Sequence, residues 1–199
     1  MSIAQPRRWQ LPALEARHSQ RLVVGFYMLV NSGLAIAVMA GLALVTSQPF
    51  AFPSLGPTAF LLFYQPLAPN AAPRSAFLGH LIGVICGYLA LLTFGLLHTA
   101  PNLEALTWAR VGALAMALGL TLSIMVWLGV PHAPAGATTL IVATGLLRTP
   151  LQLAILMTAV VLLVLQGFII NRLAGIPYPV WKPRPLAKGT GGQPDARTG

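Results

Sequence analysis

Val130-Pro131-His132-Ala133-Pro134-Ala135-Gly136-Ala137-Thr138-Thr139 breaks a long apolar run and leads directly into Leu140 to Ala143. A second stretch of the same character, Phe52-Pro53-Ser54-Leu55-Gly56-Pro57-Thr58-Ala59, leads into Phe60 to Phe63. Proline is tolerated in the first turn of a helix, where its missing N–H has no intrahelical partner to lose. Glycine permits close backbone approach. Each stretch therefore reads as a break followed by a new, short helix. Such a start leaves backbone N–H groups without intrahelical partners. In apolar surroundings those groups need something to bind.

The surroundings are those of a membrane. Of 199 residues 56% are hydrophobic and only 8% charged, against about 25% charged in a soluble domain. The 12 basic residues outnumber 3 acidic ones, a balance that in a soluble protein would suggest nucleic acid. Here the basic residues collect at the two ends. Arg7, Arg8, Arg17 and Arg21 precede the first apolar segment, and Arg172, Lys182, Arg184, Lys188 and Arg197 follow the last. Both tails are expected on the cytoplasmic side, of a bacterial inner membrane, beside anionic headgroups, with no nucleic-acid partner. One cysteine, Cys86, excludes a disulfide framework.

In order, residues 1–20 form an N-terminal tail. Residues 21–172 form the membrane domain, and 173–199 a Pro/Gly-rich C-terminal tail expected to be disordered beyond Leu186. A short interfacial helix over Pro12 to Arg17 beside Trp9 and a disordered tail are both open readings of the N-terminus. Leu22–Val45, Ser75–Leu97, Trp108–Val130 and Leu151–Ile170 are long enough to span a ~30 Å core. The helices starting near Ser54 and Pro134 are too short. Gly33, Ala37 and Gly41, and again Gly79, Gly83 and Gly87, form stripes of the kind that let helices approach closely. They suit packing and a homo-oligomer. Tyr178 and Trp181 suit the interface.

The order long, short, long therefore occurs twice. A shift of 80 positions places Gly56 on Gly136 and Thr58 on Thr138. The expected fold is all-α, with four full transmembrane helices plus two short intramembrane helices, re-entrant or half, in a 3+3 internal repeat. If the short segments cross instead of returning, there are six passages and each half is an odd, inverted unit. The lengths favour four. Interrupted segments at corresponding positions of a repeat point to a transport site.

No Asp or Glu lies between Glu15 and Glu104, or between Glu104 and Asp195. Proton relays and hard-cation sites in membranes use carboxylates, so an anion is the better cargo. Helix N-termini favour anions. Ser54, Thr58, Thr138 and Thr139 add hydroxyls. His132 and His80 can donate hydrogen bonds or carry a proton. Arg74, Arg110 and Arg148 sit at segment ends, where they can draw an anion or reach headgroups. The bland readings are local back-bonding for the hydroxyls, a helix cap for His132 and a packed helix contact for His80. A zinc site from His80, His98 and His132 lacks helical spacing and a carboxylate to orient it. No enzyme activity and no cofactor are expected.

At these two stretches the chain resembles the HPP family of integral membrane proteins, named for a His-Pro-Pro motif followed by Ala-Gly-Ala-Thr. Here that motif reads His132-Ala133-Pro134-Ala135-Gly136-Ala137-Thr138, with Ala133 in place of proline. The family's Ser-x-Gly-Ala-Ser/Thr-Ala motif, followed by Leu-Leu-Phe, reads Ser54-Leu55-Gly56-Pro57-Thr58-Ala59 and Leu61-Leu62-Phe63, with Pro57 for alanine. Pro73-Arg74 and Gly79-His80 match a later pair. The resemblance implies a four-span domain and, from some plastid and cyanobacterial members, nitrite transport. The expectation is a transporter or channel for a small monovalent anion, nitrite first. It would bind at Ser54, Gly56, Thr58, Arg74, His80, His132, Pro134, Gly136, Thr138 and Thr139. The alternative is a non-transporting assembly or sensor module.

Overall fold

The computed structural model describes residues 7–183. Seven α-helices follow in order: α1 (Leu11–Glu15), α2 (Gln20–Thr46), α3 (Leu55–Tyr64), α4 (Pro73–Thr93), α5 (Trp108–Trp127), α6 (Pro134–Ala143) and α7 (Pro150–Leu173). A single 3-10 turn, Pro69–Ala71, precedes α4. Among the described residues there is no strand. The part of the C-terminal tail expected to be disordered lies outside them.

Local chemistry sets the boundaries. Proline opens α4, α6 and α7. A Thr149/Gln152 capping box starts α7, and Thr107 caps α5 by accepting from the Arg110 N–H. Glycines with positive φ end α4, α5 and α7: Gly95 at 66°, Gly129 at 60° and Gly175 at 82°. At each, the next N–H reaches back five residues: Leu96 to Leu91 O, Val130 to Met125 O and Ile176 to Asn171 O. Such turns satisfy carbonyls that a helix end leaves open. They explain why α4 stops at Thr93 and α5 at Trp127, earlier than their apolar runs.

Four helices, α2, α4, α5 and α7, are long and apolar enough to cross a membrane. Leu22, Phe26, Leu29, Leu44 and Val45 of α2 face outward, and only Ala35 and Met39 of that helix are buried. A face this apolar would be an aggregation liability in water. It suits lipid, and the chain is an integral membrane protein.

Long-range hydrogen bonds sort the helix ends into two groups. At one end, Asn171 near the close of α7 donates to Leu62 O of α3 and accepts from Tyr27 Oη, near the start of α2. Arg74, at the start of α4, donates to Leu128 O after α5. At the other end, Arg110 at the start of α5 donates to Ala143 O at the close of α6. Arg148, before α7, donates to Thr99 O after α4. A 27-residue helix is ~40 Å long, so α2 leaves the first end and finishes at the second. The chain must then return through 47–54 and α3, because α3 finishes at the first end beside Asn171. Segment 128–133 with α6 makes the reverse journey. Each short helix is therefore half-length, the last part of a segment whose remainder is non-helical, and this is the half-helix form of the two expected for it.

α4 packs against α5 and α6, while α7 packs against α2 and α3, and α4 meets α7 at the centre. The Gly79, Gly83 and Gly87 stripe faces α6. A Cβ added at Gly83 would lie 2.7 Å from Thr139 Oγ1 and 2.9 Å from Ala135 O. The α2 stripe behaves differently, for a Cβ at Gly33 or Gly41 would meet nothing within 4 Å. At the tails, α1 forms at Leu11–Glu15 and its Leu11 N–H donates to Ala174 O, so this part of the N-terminus is docked. Tyr178 is buried, with its hydroxyl on Ala71 O at 2.6 Å, because folding over the 69–71 turn removes it from the interface expected for it. Trp181 remains half-exposed.

Candidate hydroxyl and imidazole site between the short helices

Thr58 stands at the start of α3 and Thr138 on α6. Both side chains are fully buried, and one imidazole lies between them. His80 of α4 places Nε2 3.0 Å from Thr58 Oγ1 and Nδ1 2.7 Å from Thr138 Oγ1. His132, just before α6, places Nε2 3.3 Å from the same Thr58 oxygen and Nδ1 2.7 Å from the Asn70 carbonyl. The two rings meet edge-on with centroids 4.9 Å apart. Thr58 Oγ1 also lies 2.9 Å from Ser54 O.

The local sequence makes this possible. Gly79 sits one position before His80 and carries no side chain. A Cβ there would lie 2.8 Å from His132 Cβ, so the glycine is what lets the two histidines occupy the same level. The Asn70 carbonyl faces inward because the Pro69–Ala71 turn and Pro73 hold the chain over the start of α4.

Of the expected site residues, Ser54, Thr58, His80, His132 and Thr138 come together. The Ser54 hydroxyl is fully buried and has no hydrogen-bond partner. Pro134 is buried and opens α6. Thr139 is turned toward α5, donating to Thr121 Oγ1 or Ala135 O, both at 3.0 Å. Gly136 faces Leu118, and Gly56 is exposed. Arg74, Arg110 and Arg148 donate to main-chain carbonyls at the helix ends given above. Fixed positive charge is thus spent on C-terminal carbonyls, where it is favoured.

One expected feature changes. The starts of α3 and α6 do not present a row of free N–H groups. Leu55 N–H donates to Phe52 O, Ala135 to His132 O and Gly136 to Ala133 O, and Pro57 and Pro134 have no N–H to offer. Short turns ahead of each helix use the donors. The polar chemistry left in the core is that of side chains: hydroxyls and two imidazoles, with no carboxylate among them. An arrangement of donors without a fixed negative charge can hold an anion or a neutral acid, and can move a hydrogen between its members.

Sequence reasoning missed Asn70, whose contribution is a backbone carbonyl and carries no side-chain signal. It also passed over Asn171, although an amide near the end of a membrane helix is costly unless paired.

Comparison with known proteins places these features. No solved structure matches the chain. A transmembrane protein of Dictyostelium discoideum is 30% identical over 92 residues, 46% of this chain. The chain spans 29% of that relative's length. The family described as HPP, transmembrane region, matches residues 17–179, from before α2 to beyond α7. That match takes in α2 to α7 and both short stretches, and the chain belongs to the HPP family.

Proposed function

We propose that this protein is a transporter or channel for a small monovalent anion, with nitrite the leading candidate. The observation that carries the reading is the buried imidazole of His80, bonded on both nitrogens to Thr58 and Thr138, 80 positions apart on the two short helices. The unpartnered Ser54 hydroxyl, one turn before Thr58, adds a donor. An anion arriving here brings negative charge to a core whose arginines are bound elsewhere. A proton on His132 or His80 offsets that charge, so nitrite would cross with a proton or as nitrous acid.

In this reading the chain makes six passages in an inverted 3+3 repeat, an arrangement whose interrupted segments build a transport site. The exchange of partners, α4 on the second half's helices and α7 on the first half's, is what such a repeat predicts. The turns Leu96 to Leu91 and Ile176 to Asn171 fall 80 positions apart. Arg21, Arg74 and Arg172 share one end of the bundle, whereas Arg110 and Arg148 lie at the other. The positive-inside rule favours the first end as the cytoplasmic one, and in this reading both termini lie on the cytoplasmic side of a bacterial inner membrane. The unused α2 stripe suits a homo-oligomer. No cofactor, nucleic acid or catalysis enters the reading.

Purified protein in proteoliposomes should pass nitrite faster than empty vesicles. Equal rates would refute transport and leave the assembly-module reading. Unchanged flux and pH dependence in His132→Ala would remove the histidine from the site.

A further inference from the structure

Asn70 O is a carbonyl and only accepts, so the His132 nitrogen 2.7 Å away, Nδ1, carries a hydrogen. In neutral His132 the other nitrogen, Nε2, is a bare acceptor, and Thr58 Oγ1 lies 3.3 Å from it. Thr58 has one hydrogen to give. When it points at His132, Thr58 Oγ1 accepts from His80, whose hydrogen is then on Nε2. The His80 Nδ1 in turn accepts from the Thr138 hydroxyl. Every bond runs one way, from Thr138 through His80, Thr58 and His132 to the Asn70 carbonyl.

A proton entering this chain finds its two imidazoles unequal. At His132 Nε2 it makes a new N–H that donates to Thr58 Oγ1. The Thr58 hydrogen then swings to Ser54 O, already 2.9 Å away. The Thr58 oxygen accepts from both rings, and every group stays paired after one hydroxyl rotation. At His80 Nδ1 the proton would displace the Thr138 hydrogen, and among the described residues Thr138 Oγ1 has no other hydrogen-bond partner. We infer that His132 is the group that takes up the proton, and that the Thr58 hydroxyl is the positioning group that permits it by turning from His132 to Ser54.

The neighbours leave this asymmetry intact. α6 carries no titratable side chain, and that of α3, Tyr64, is exposed at its far end. On α4, Arg74 is bonded to Leu128 O, and Cys86 lies beyond His80 among Met125, Ile82 and Val130. Arg110 of α5 is bonded to Ala143 O at the other end of the bundle. The Tyr27 hydroxyl of α2 is on Asn171, and Arg172 of α7 stacks on Phe168.

The inference rests on the proposed site but is tested without any anion. Full-length protein with 15N-labelled histidine, in nanodiscs, is titrated with acid and followed by NMR, with His80→Gln and His132→Gln assigning the signals. At high pH His132 should be the Nδ1–H tautomer and His80 the Nε2–H tautomer. On acidification His132 should become imidazolium while His80 stays neutral. Thr58→Val should cost His80 its single tautomer, leaving a mixture, and Thr58→Ser should restore it. His80 protonating first, His132 carrying its hydrogen on Nε2, or an unmixed His80 in Thr58→Val would each overturn the inference. Absence of nitrite flux would leave these outcomes as they stand, so the two failures are separable.

Discussion

Gly83→Ala and Gly33→Ala make one chemical change on two helices with the same spacing of small residues, and should move stability in opposite directions. At Gly83 the new methyl would lie 2.7 Å from Thr139 Oγ1 and 2.9 Å from Ala135 O. The second atom is backbone. The first is held between Thr121 and Ala135. Neither can turn away, so α6 must lift from α4. Overpacking of this kind costs about 1–3 kcal/mol. Replacing a helical glycine by alanine returns roughly 1 kcal/mol, leaving a net loss of up to about 2 kcal/mol. At Gly33 nothing lies within 4 Å, and only the gain of up to ~1 kcal/mol remains. The propensity gain is common to both, so the two variants should differ by the overpacking cost, about 1–3 kcal/mol. Unfolding in mixed micelles by SDS titration, read by circular dichroism, measures the gap. Two alanine variants equal to within about 0.5 kcal/mol, the ordinary range of a surface substitution, would refute the packing argument. Size exclusion of the same samples separates the stripes further, since only the α2 stripe is free to serve a second copy.

Three further outcomes follow from single contacts. Asn171→Leu leaves Leu62 O without its donor and Tyr27 without its acceptor, and should cost about 1–3 kcal/mol for the stranded carbonyl. Adding Tyr27→Phe should then cost little more, and full additivity in SDS unfolding would show the two bonds to be independent. Arg110→Met removes the donor at Ala143 O and should destabilise by about 1–3 kcal/mol, read by the same titration, with α6 amides showing faster hydrogen exchange. Unaltered exchange would refute the cap. Ala133 has φ −52° and is exposed, close to the −65° of proline, and its N–H makes no hydrogen bond to another main-chain carbonyl outside the helices. Ala133→Pro should be tolerated within about 1 kcal/mol, and a loss of several would mean that the alanine is needed.

Much of this architecture could be read from residues. Proline at positions 73, 134 and 150 and glycine at 95, 129 and 175 bracket helices because their backbone preferences act locally. The pairing of Thr58 with Thr138 was visible as a spacing of 80, although not the ring that joins them. What stayed hidden was decided by distant contacts. Whether 47–64 returns or crosses depends on where Leu62 lands, and that is fixed by Asn171, 109 positions away. Thr139 sits one residue after Thr138, yet helix geometry turns it to α5 and away from the histidines. The free N–H groups expected at the short helices were lost to turns of three residues, which Pro/Gly composition announces without specifying their bonds. Arg110 had the composition of an anion attractor, and its partner is a carbonyl 33 positions later.

The crossed packing of the two halves also imposes an order in time. α2 and α3 leave the ribosome well before α7 exists. At roughly 5–20 residues per second, the 109 positions between Leu62 and Asn171 correspond to roughly 5–20 s. During that interval the Leu62 carbonyl and the Tyr27 hydroxyl have no Asn171 to pair with. The first half therefore needs shelter from insertion machinery or from a neighbouring nascent chain until the last helix arrives. A chain terminated in the loop after α4 would hold α2 and α3 without α7, and α4 without α5 and α6, and quality-control proteases should clear it quickly.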